Sequence, residues 1–378
     1  MSNTAFESAT IGGIPVRNRI FRSATFEGLG TDEGQVSPAM IEMYKSLAQG
    51  GTGLIITGYM GFSASDNHAP RTITVTGDND VEPLAELARV VHDHGSRIVA
   101  QISHVGSQLT FAPTRTVLGP SDVTDPINGI QPTPFTREQI RELVEEFGKV
   151  SLRLKTAGFD GVQIHGAHGY LLSKFLSPVY NQRTDAYGGS PENNTRIILE
   201  IIEAIKAACG ADFPVWIKLN CSDFGREDNA YGFDAFMATA TAVAGGGVDA
   251  IELSGGTMTG THSPARAKSH SAYHLDEARK TAEIVDVPII SVGGFRNLET
   301  LESALATPNI EAVSMCRPLI REPGLVNRWA GGDRSDATCV ACNGCFNPAG
   351  TRCFFELEGE ERDAQKAVMK MMAGLRGK

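Results

Sequence analysis

A single (β/α)8 barrel is the fold this sequence predicts, and three observations predict it. A short β-branched run, a Gly or polar break and a longer helical stretch recur as eight units along the 378 residues. Strands alternating with helices imply a parallel sheet, and eight such units imply closure. At 41% hydrophobic the chain can bury one large core, yet it carries no run of about 18 apolar residues. The rival architecture, a doubly wound open sheet, would announce itself with G-x-G-x-x-G after the first strand. That region reads instead Ala24-Thr25-Phe26-Glu27-Gly28-Leu29-Gly30, with its glycines out of order.

The strands are expected near 20–24, 53–57, 97–102, 161–164, 215–219, 250–253, 288–292 and 312–315, and helices over 82–94, 137–157, 191–208, 234–244 and 298–306. Thr136 with Gln139 three residues on reads as a capping box, and Asn297 before Thr300 as an N-cap. Two connections are longer than a barrel needs. One, 104–135, is rich in proline; the other, 255–273, is rich in Gly, Thr, Ser and His. Both follow strands, so both belong to the C-terminal mouth, where long loops carry function. The expected organisation is a barrel over 1–335 and a Cys-containing loop with a helical tail over 336–378. In that tail Val368, Met371, Met372 and Leu375 share a helical face suited to covering barrel or partner surface.

A net charge of −10 argues against nucleic acid as partner, because phosphate-backbone binding needs a basic footprint. The tail stripe is too short and too mixed in charge for a membrane role. The N-terminus lacks a basic head before an apolar core, and seven cysteines in an enzyme-like chain suit reduced thiols, so a cytoplasmic location is expected. A small-molecule substrate remains the expected partner; homo-oligomerisation is left open.

Candidate chemistry collects at strand ends. Behind the fourth strand come His165, Gly166, Ala167, His168, Gly169 and Tyr170. Gln101 and His104 follow the third strand, Lys218 and Asn220 the fifth, Gly293-Gly294 the seventh, and Cys316-Arg317 the eighth. Barrels commonly bind phosphate with the loops after strands seven and eight. A glycine pair exposes backbone N–H groups and a guanidinium can clamp phosphate with two donors, so a phosphorylated cofactor is expected. Blander roles exist for each: His165 as a core histidine, Tyr170 as packing, Lys218 or Arg317 as half of an ion pair. Two histidines this close also suit a metal.

The residues from Asn18-Arg19-Ile20 to Arg317-Pro318-Leu319 resemble the Old Yellow Enzyme family of FMN-dependent, NAD(P)H-using oxidoreductases, including its 2,4-dienoyl-CoA reductase branch. The most specific stretch is 165–189, where H-x-x-H-x-Y precedes L-S-P, N-x-R-x-D and Y-G-G. The resemblance implies that His165 and His168 bind the oxygen of an activated alkene above the flavin. It makes Tyr170 the proton donor, Lys218 the cation near flavin N1 and Gln101 the amide on the pyrimidine edge. It also places Ala24-Thr25 and Gly58-Tyr59 against the ring system, and Gly293, Gly294, Cys316 and Arg317 at the phosphate end. The run 181–189 reads as a brace for the mouth.

The chain departs from the family in places. Phe26 stands where many relatives have a Thr or Cys that tunes the flavin, and Asn193-Asn194 replaces a common Arg. Cys339, Cys342, Cys345 and Cys353 resemble the [4Fe–4S] segment of the dienoyl-CoA reductase branch, with shorter gaps. Free thiols, an iron–sulfur cluster and structural zinc remain open there. Two other functional classes also stand. One is a metal-dependent barrel hydrolase holding zinc on His165 and His168 with Glu252 as the one obvious carboxylate; the other is a non-catalytic cofactor-binding protein.

Overall fold

The computed structural model describes residues 4–62, 69–109, 116–258, 260–266, 270–347 and 350–376, the side chains of 371–376 excepted. Eight parallel strands close in chain order: β1 (Ile20–Arg22), β2 (Leu54–Ile56), β3 (Arg97–Ile102), β4 (Gly161–Gly166), β5 (Val215–Asn220), β6 (Ala250–Ser254), β7 (Ile289–Val292) and β8 (Ile310–Met315), which pairs back to β1. Around them run α1 (Pro38–Gln49), α2 (Val81–Asp93), α3 (Arg137–Thr156), α4 (Pro191–Cys209), α5 (Phe233–Gly245), α6 (Leu275–Ala282), α7 (Leu298–Leu305) and α8 (Leu325–Ala330).

Every predicted element is present, each boundary within two residues of its expected place. The capping box forms as read: Gln139 N–H donates to Thr136 Oγ1 at 3.2 Å and Thr136 N–H to Gln139 Oε1 at 2.9 Å. Asn297 Oδ1 accepts from Thr300 N–H at 2.8 Å. Three of these helices, α1, α6 and α8, lie outside the five predicted; the segment of α6 is short and mostly polar.

Strand periodicity sorts the barrel interior into layers, since alternate residues point inward. The lowest layer is apolar: Phe21, Leu54, Ile56, Val99, Trp216, Ala250, Ile290 and Ala312 are all fully buried in one cluster. An N-terminal hairpin of Ala9–Ile11 and Ile14–Val16 plugs this end, and Trp216 Nε1 donates to Gly12 O at 3.0 Å. Two residues further along β3, β5, β6 and β8 the lining turns polar, with Gln101, Lys218, Glu252 and Ser314 buried, and β4 adds buried Gln163. The fold thus delivers its polar side chains to one end.

The long connection after β3 is held on the next unit. Lys174, on the short helix Leu171–Leu176 after β4, donates to Asp125 Oδ2 at 2.5 Å and to Ser107 Oγ at 2.7 Å. Arg183 Nη1 donates to Pro120 O and Phe135 O, while Asn181 Nδ2 ties Phe175 O to Tyr187 O. These contacts give the run 181–189 its bracing role. The tail then returns to the mouth: Thr351 N–H and Oγ1 donate to Glu27 O and Phe26 O, both at 2.7 Å. In the tail helix α9 (Gly359–Arg376), Gln365 donates to Gly344 O and Phe346 O. Of the expected apolar face, Val368 is half-buried, whereas the side chains of Met371, Met372 and Leu375 lie outside the described residues. Among the described residues no helix is long and apolar enough to cross a membrane.

Candidate active site

His165 is the last inward-facing residue of β4, set beside Lys218 of β5 in the parallel register. The chain then turns sharply, and His168 takes a left-handed backbone with φ 65°. That conformation is uncommon away from glycine and costs of order 1 kcal/mol or more, which its surroundings must offset. They do so by two contacts: its N–H donates to Asn220 Oδ1 at 3.2 Å, and its Nε2 lies 2.8 Å from Ser254 Oγ. Asn220 is fixed in turn by donating to Asp223 Oδ1 at 2.8 Å and Gly256 O at 3.2 Å.

Tyr170 starts the short helix that follows, so one turn brings three polar rings together. The His165 ring centroid lies 5.1 Å from that of His168 and 4.9 Å from that of Tyr170, both edge-on, with Tyr59 5.8 Å beyond Tyr170. Burial pushes both imidazoles well below their ordinary value, reinforced by the Lys218 charge, so both are neutral at neutral pH. Burial raises the Tyr170 phenol, while a hydrogen bond with the Gln108 side chain acts the other way. A phenol flanked by two neutral imidazoles is the result.

Beneath these rings the polar layer forms one network. Glu252 accepts from Lys218 at 3.0 Å, Gln163 Nε2 at 2.9 Å, Ser23 Oγ at 2.7 Å and Ser314 Oγ at 2.5 Å. Lys218 also donates to Ser23 Oγ at 2.9 Å, and Gln101 Nε2 to Gln163 Oε1 at 2.8 Å. The ion pair weighed as a bland role for Lys218 is therefore real, and it leaves no part of Glu252 for a metal. Among the described residues, His165 and His168 belong to no cluster of three metal-ligating groups. The zinc-hydrolase reading loses its carboxylate.

The remaining predicted residues ring the same mouth. Ala24 and Thr25 follow β1 half-buried, and Tyr59 follows β2. The Gly58 N–H is already used, donating to Glu27 Oε1 and Tyr44 Oη at 3.2 Å each. Gly293 and Gly294 have φ 126° and 82°, and a Cβ on either would stand 2.8 Å from the Tyr273 ring. Packing alone thus requires both glycines. Cys316 caps the short helix of Arg317–Arg321, and Arg317 is buried: its Nη1 donates to Arg266 O at 2.8 Å and Asn343 Oδ1 at 2.7 Å. The surface ion pair considered for Arg317 is excluded by that burial. Asn343 belongs to the cysteine-bearing turn, so this guanidinium ties the tail to the end of β8.

All seven cysteines are free thiols among the described residues. Cys345 and Cys353 are buried and Cys342 is exposed. Among the described residues, no three thiols of Cys339, Cys342, Cys345 and Cys353 lie within 4.8 Å of one another. Asn194, at the departure from the usual Arg, is buried and accepts from Asn181 Nδ2 at 3.1 Å. Gln108, Ser254, Asp223, Arg266 and Tyr273 join the site without having been singled out in the sequence. Ser254 was accessible by counting two residues on from Glu252; Gln108, Arg266 and Tyr273 sit in long loops that carry no period.

The profile of the NADH:flavin oxidoreductase / NADH oxidase family matches residues 4–335. The chain belongs to this family. It is 33% identical to an NADH oxidase of Thermoanaerobacter brockii over 90% of its own length and 53% of that protein. It is 30% identical to an NADPH dehydrogenase of Halalkalibacterium halodurans over 85% of its length and 93% of the relative. A solved 2-naphthoyl-CoA reductase superposes with TM-score 0.85 at 24% identity, over 97% of this chain and 58% of that one, and shows the shared barrel. The chain spans about half the length of the first two curated relatives it matches.

As a family member the chain is of the flavin-dependent oxidoreductase class. Its residues fit FMN. The mouth holds a buried cation and amide at strand ends, a glycine pair and Arg317 for a phosphate. Buried His165 Nδ1, Arg266 Nε and Arg266 Nη2 lack hydrogen-bond partners, as donors prepared for a ligand would.

Proposed function

We propose that this barrel reduces an electron-poor alkene, such as an α,β-unsaturated carbonyl compound, at the expense of NAD(P)H. The observation that carries the reading is the His165–His168–Tyr170 triangle over the Lys218–Glu252 network. Bound FMN supplies hydride transfer between nicotinamide and acceptor. Lys218 and Gln101 bind the ring edges, with Ala24, Thr25, Gly58 and Tyr59 around it, and Gly293, Gly294, Cys316 and Arg317 at the phosphate end. His165 and His168, held neutral, hydrogen-bond the acceptor oxygen and stabilise the charge that grows there. The Tyr170 hydroxyl gives its proton to the acceptor carbon. Gln108 orients that hydroxyl, and the braced loop after β3 keeps water from the pocket. The barrel domain is assigned to 1–335 and the tail covering its mouth to 336–378.

The test is anaerobic oxidation of NADH and of NADPH by the FMN-loaded protein, with and without a cyclic enone. Acceptor-dependent turnover and a saturated ketone product support the reading. Stoichiometric reduction of the flavin by the nicotinamide, with no turnover and no saturated ketone when the enone is added, sinks it.

A further inference from the structure

A second cluster lies beside the glycine pair, where β5, β6 and α6 meet. Cys221 follows the last residue of β5, His274 immediately precedes α6, and Glu277 lies in the first turn of that helix. The spacing of three residues puts His274 and Glu277 on one side of the helix start. One ligand atom from each of the three lies within 4.8 Å of the others, and Cys221 Sγ is 3.6 Å from His274 Nδ1. A tetrahedral zinc with sulfur at about 2.3 Å and nitrogen at about 2.0–2.1 Å holds those two atoms about 3.6 Å apart. Cys221 and His274 are fully buried and Glu277 half-buried.

A thiol–imidazole hydrogen bond would account for the first two residues but not for the third. The Glu277 carboxylate has no hydrogen bond or ion pair with any described residue, and it points its charge at a buried sulfur and nitrogen. Thiolate and carboxylate together carry two negative charges, which a divalent cation balances. We propose that Cys221, His274 and Glu277 form a binding site for a borderline divalent metal, zinc by its ligand chemistry, with water as fourth ligand. One thiolate, one imidazole and one carboxylate is a set that suits Zn(II) rather than Mg(II) or Ca(II). On binding, the Cys221 S–H bond breaks, its proton passes to solvent and a sulfur–metal bond forms, with no electron transferred. The metal would clasp the end of β5 to the start of α6, next to the Gly293 cradle. The proposal is independent of the alkene-reduction reading.

Co(II) is the probe, added to the full-length protein and to a form with Cys339, Cys342, Cys345 and Cys353 all changed to Ser, which removes the four thiols of the tail. One equivalent should bind in either background, giving a thiolate-to-cobalt charge-transfer band and the intense visible bands of a tetrahedral site, both displaced by Zn(II). Cys221→Ser should abolish the charge-transfer band. Glu277→Gln, at a half-exposed position, should fold normally and bind at least about tenfold more weakly, the loss that even an outer-shell partner produces. Zn(II) should also raise the melting temperature of the parent and leave Cys221→Ser unmoved. Absence of the band in the four-Ser form, or a band and affinity unchanged by Cys221→Ser or by Glu277→Gln, overturns the site.

Discussion

Lys218 Nζ lies 3.0 Å from Glu252 Oε2 inside the barrel, with side chains 3% and 0% exposed. The two are direct neighbours in the parallel register of β5 and β6, so strand alternation alone aims both inward at one level. Glu252→Gln would leave the cation buried and uncompensated, a defect that costs about 3–5 kcal/mol. Replacing both partners, Lys218→Met with Glu252→Leu, should recover only part of that loss in flavin-free protein, because no charge stays buried but Gln163, Ser23 and Ser314 lose their shared acceptor. Urea unfolding of the parent and the two variants measures both numbers. A Glu252→Gln protein as stable as the parent would mean the pair is not desolvated as described.

Tyr170→Phe removes the hydroxyl and keeps the ring, so packing against Tyr59 and His165 should survive. Loss of a positioned proton donor lowers rate by about 10²–10⁴-fold. The expectation is that alkene reduction slows by that order while reduction of bound FMN by NAD(P)H is unchanged. Stopped-flow separation of the two half-reactions decides it. Gln108→Leu should give a smaller loss in the same half-reaction, since it affects only the orientation of the hydroxyl. Equal slowing of both half-reactions would move Tyr170 from chemistry to cofactor binding.

The barrel was legible because strand and helix periods are written in the sequence, and both caps obey local rules that tertiary context did not override. The site was legible where chemistry meets a strand directly: Lys218 and Glu252 are inward positions of predicted strands, and His165 follows the predicted end of another. What stayed hidden came from loops. Gln108 reaches Tyr170 from a proline-rich connection, and Tyr273 reaches Gly293 and Gly294 from another, so neither partnership has a sequence period to reveal it. The left-handed backbone of His168 was equally invisible, because no glycine marks the position. Phosphate-binding logic singled out Gly293-Gly294; the contact that demands glycine there in the structure is the Tyr273 ring.

Lys174 and Asp125, both with side chains 3% exposed, pin the long connection after β3 to the short helix that Tyr170 begins. Lys174→Met leaves Asp125 buried without its cation, and a broken buried pair costs about 3–5 kcal/mol. Because the same contact sets the loop that carries Gln108, the variant should also raise KM for the acceptor more than it lowers kcat. The double variant Lys174→Met with Asp125→Asn should regain stability yet keep the raised KM. Recovery of both together would show that the pair acts on stability alone.

The pH behaviour follows from the same buried groups, and stability and activity should respond differently. His165 and His168 are held well below the ordinary histidine value by burial, and burial brings His104 down to about 4. These rings are neutral in the folded state, whereas in the unfolded chain they take up protons below about pH 6.5. The unfolded state then binds more protons, so stability is lost as pH falls from 6.5 towards each folded value, at up to about 1.4 kcal/mol per unit per ring. Asp223, raised by burial to about 6, works in the opposite direction between that value and its ordinary one, offsetting one ring. The unfolding midpoint in urea should therefore fall between pH 7 and pH 5. His104→Gln retains an acceptor for the Gly106 N–H, which now bonds His104 Nδ1 at 3.0 Å, and should shallow the slope by up to one proton. Activity should show no such limb. With both imidazoles neutral and the Tyr170 phenol raised, the rate of the alkene half-reaction should stay flat from pH 6 to 9 in a range where the protein remains folded. A rate that drops through pH 6.5 would place an ordinary, solvent-exposed histidine in the site and contradict the buried triangle.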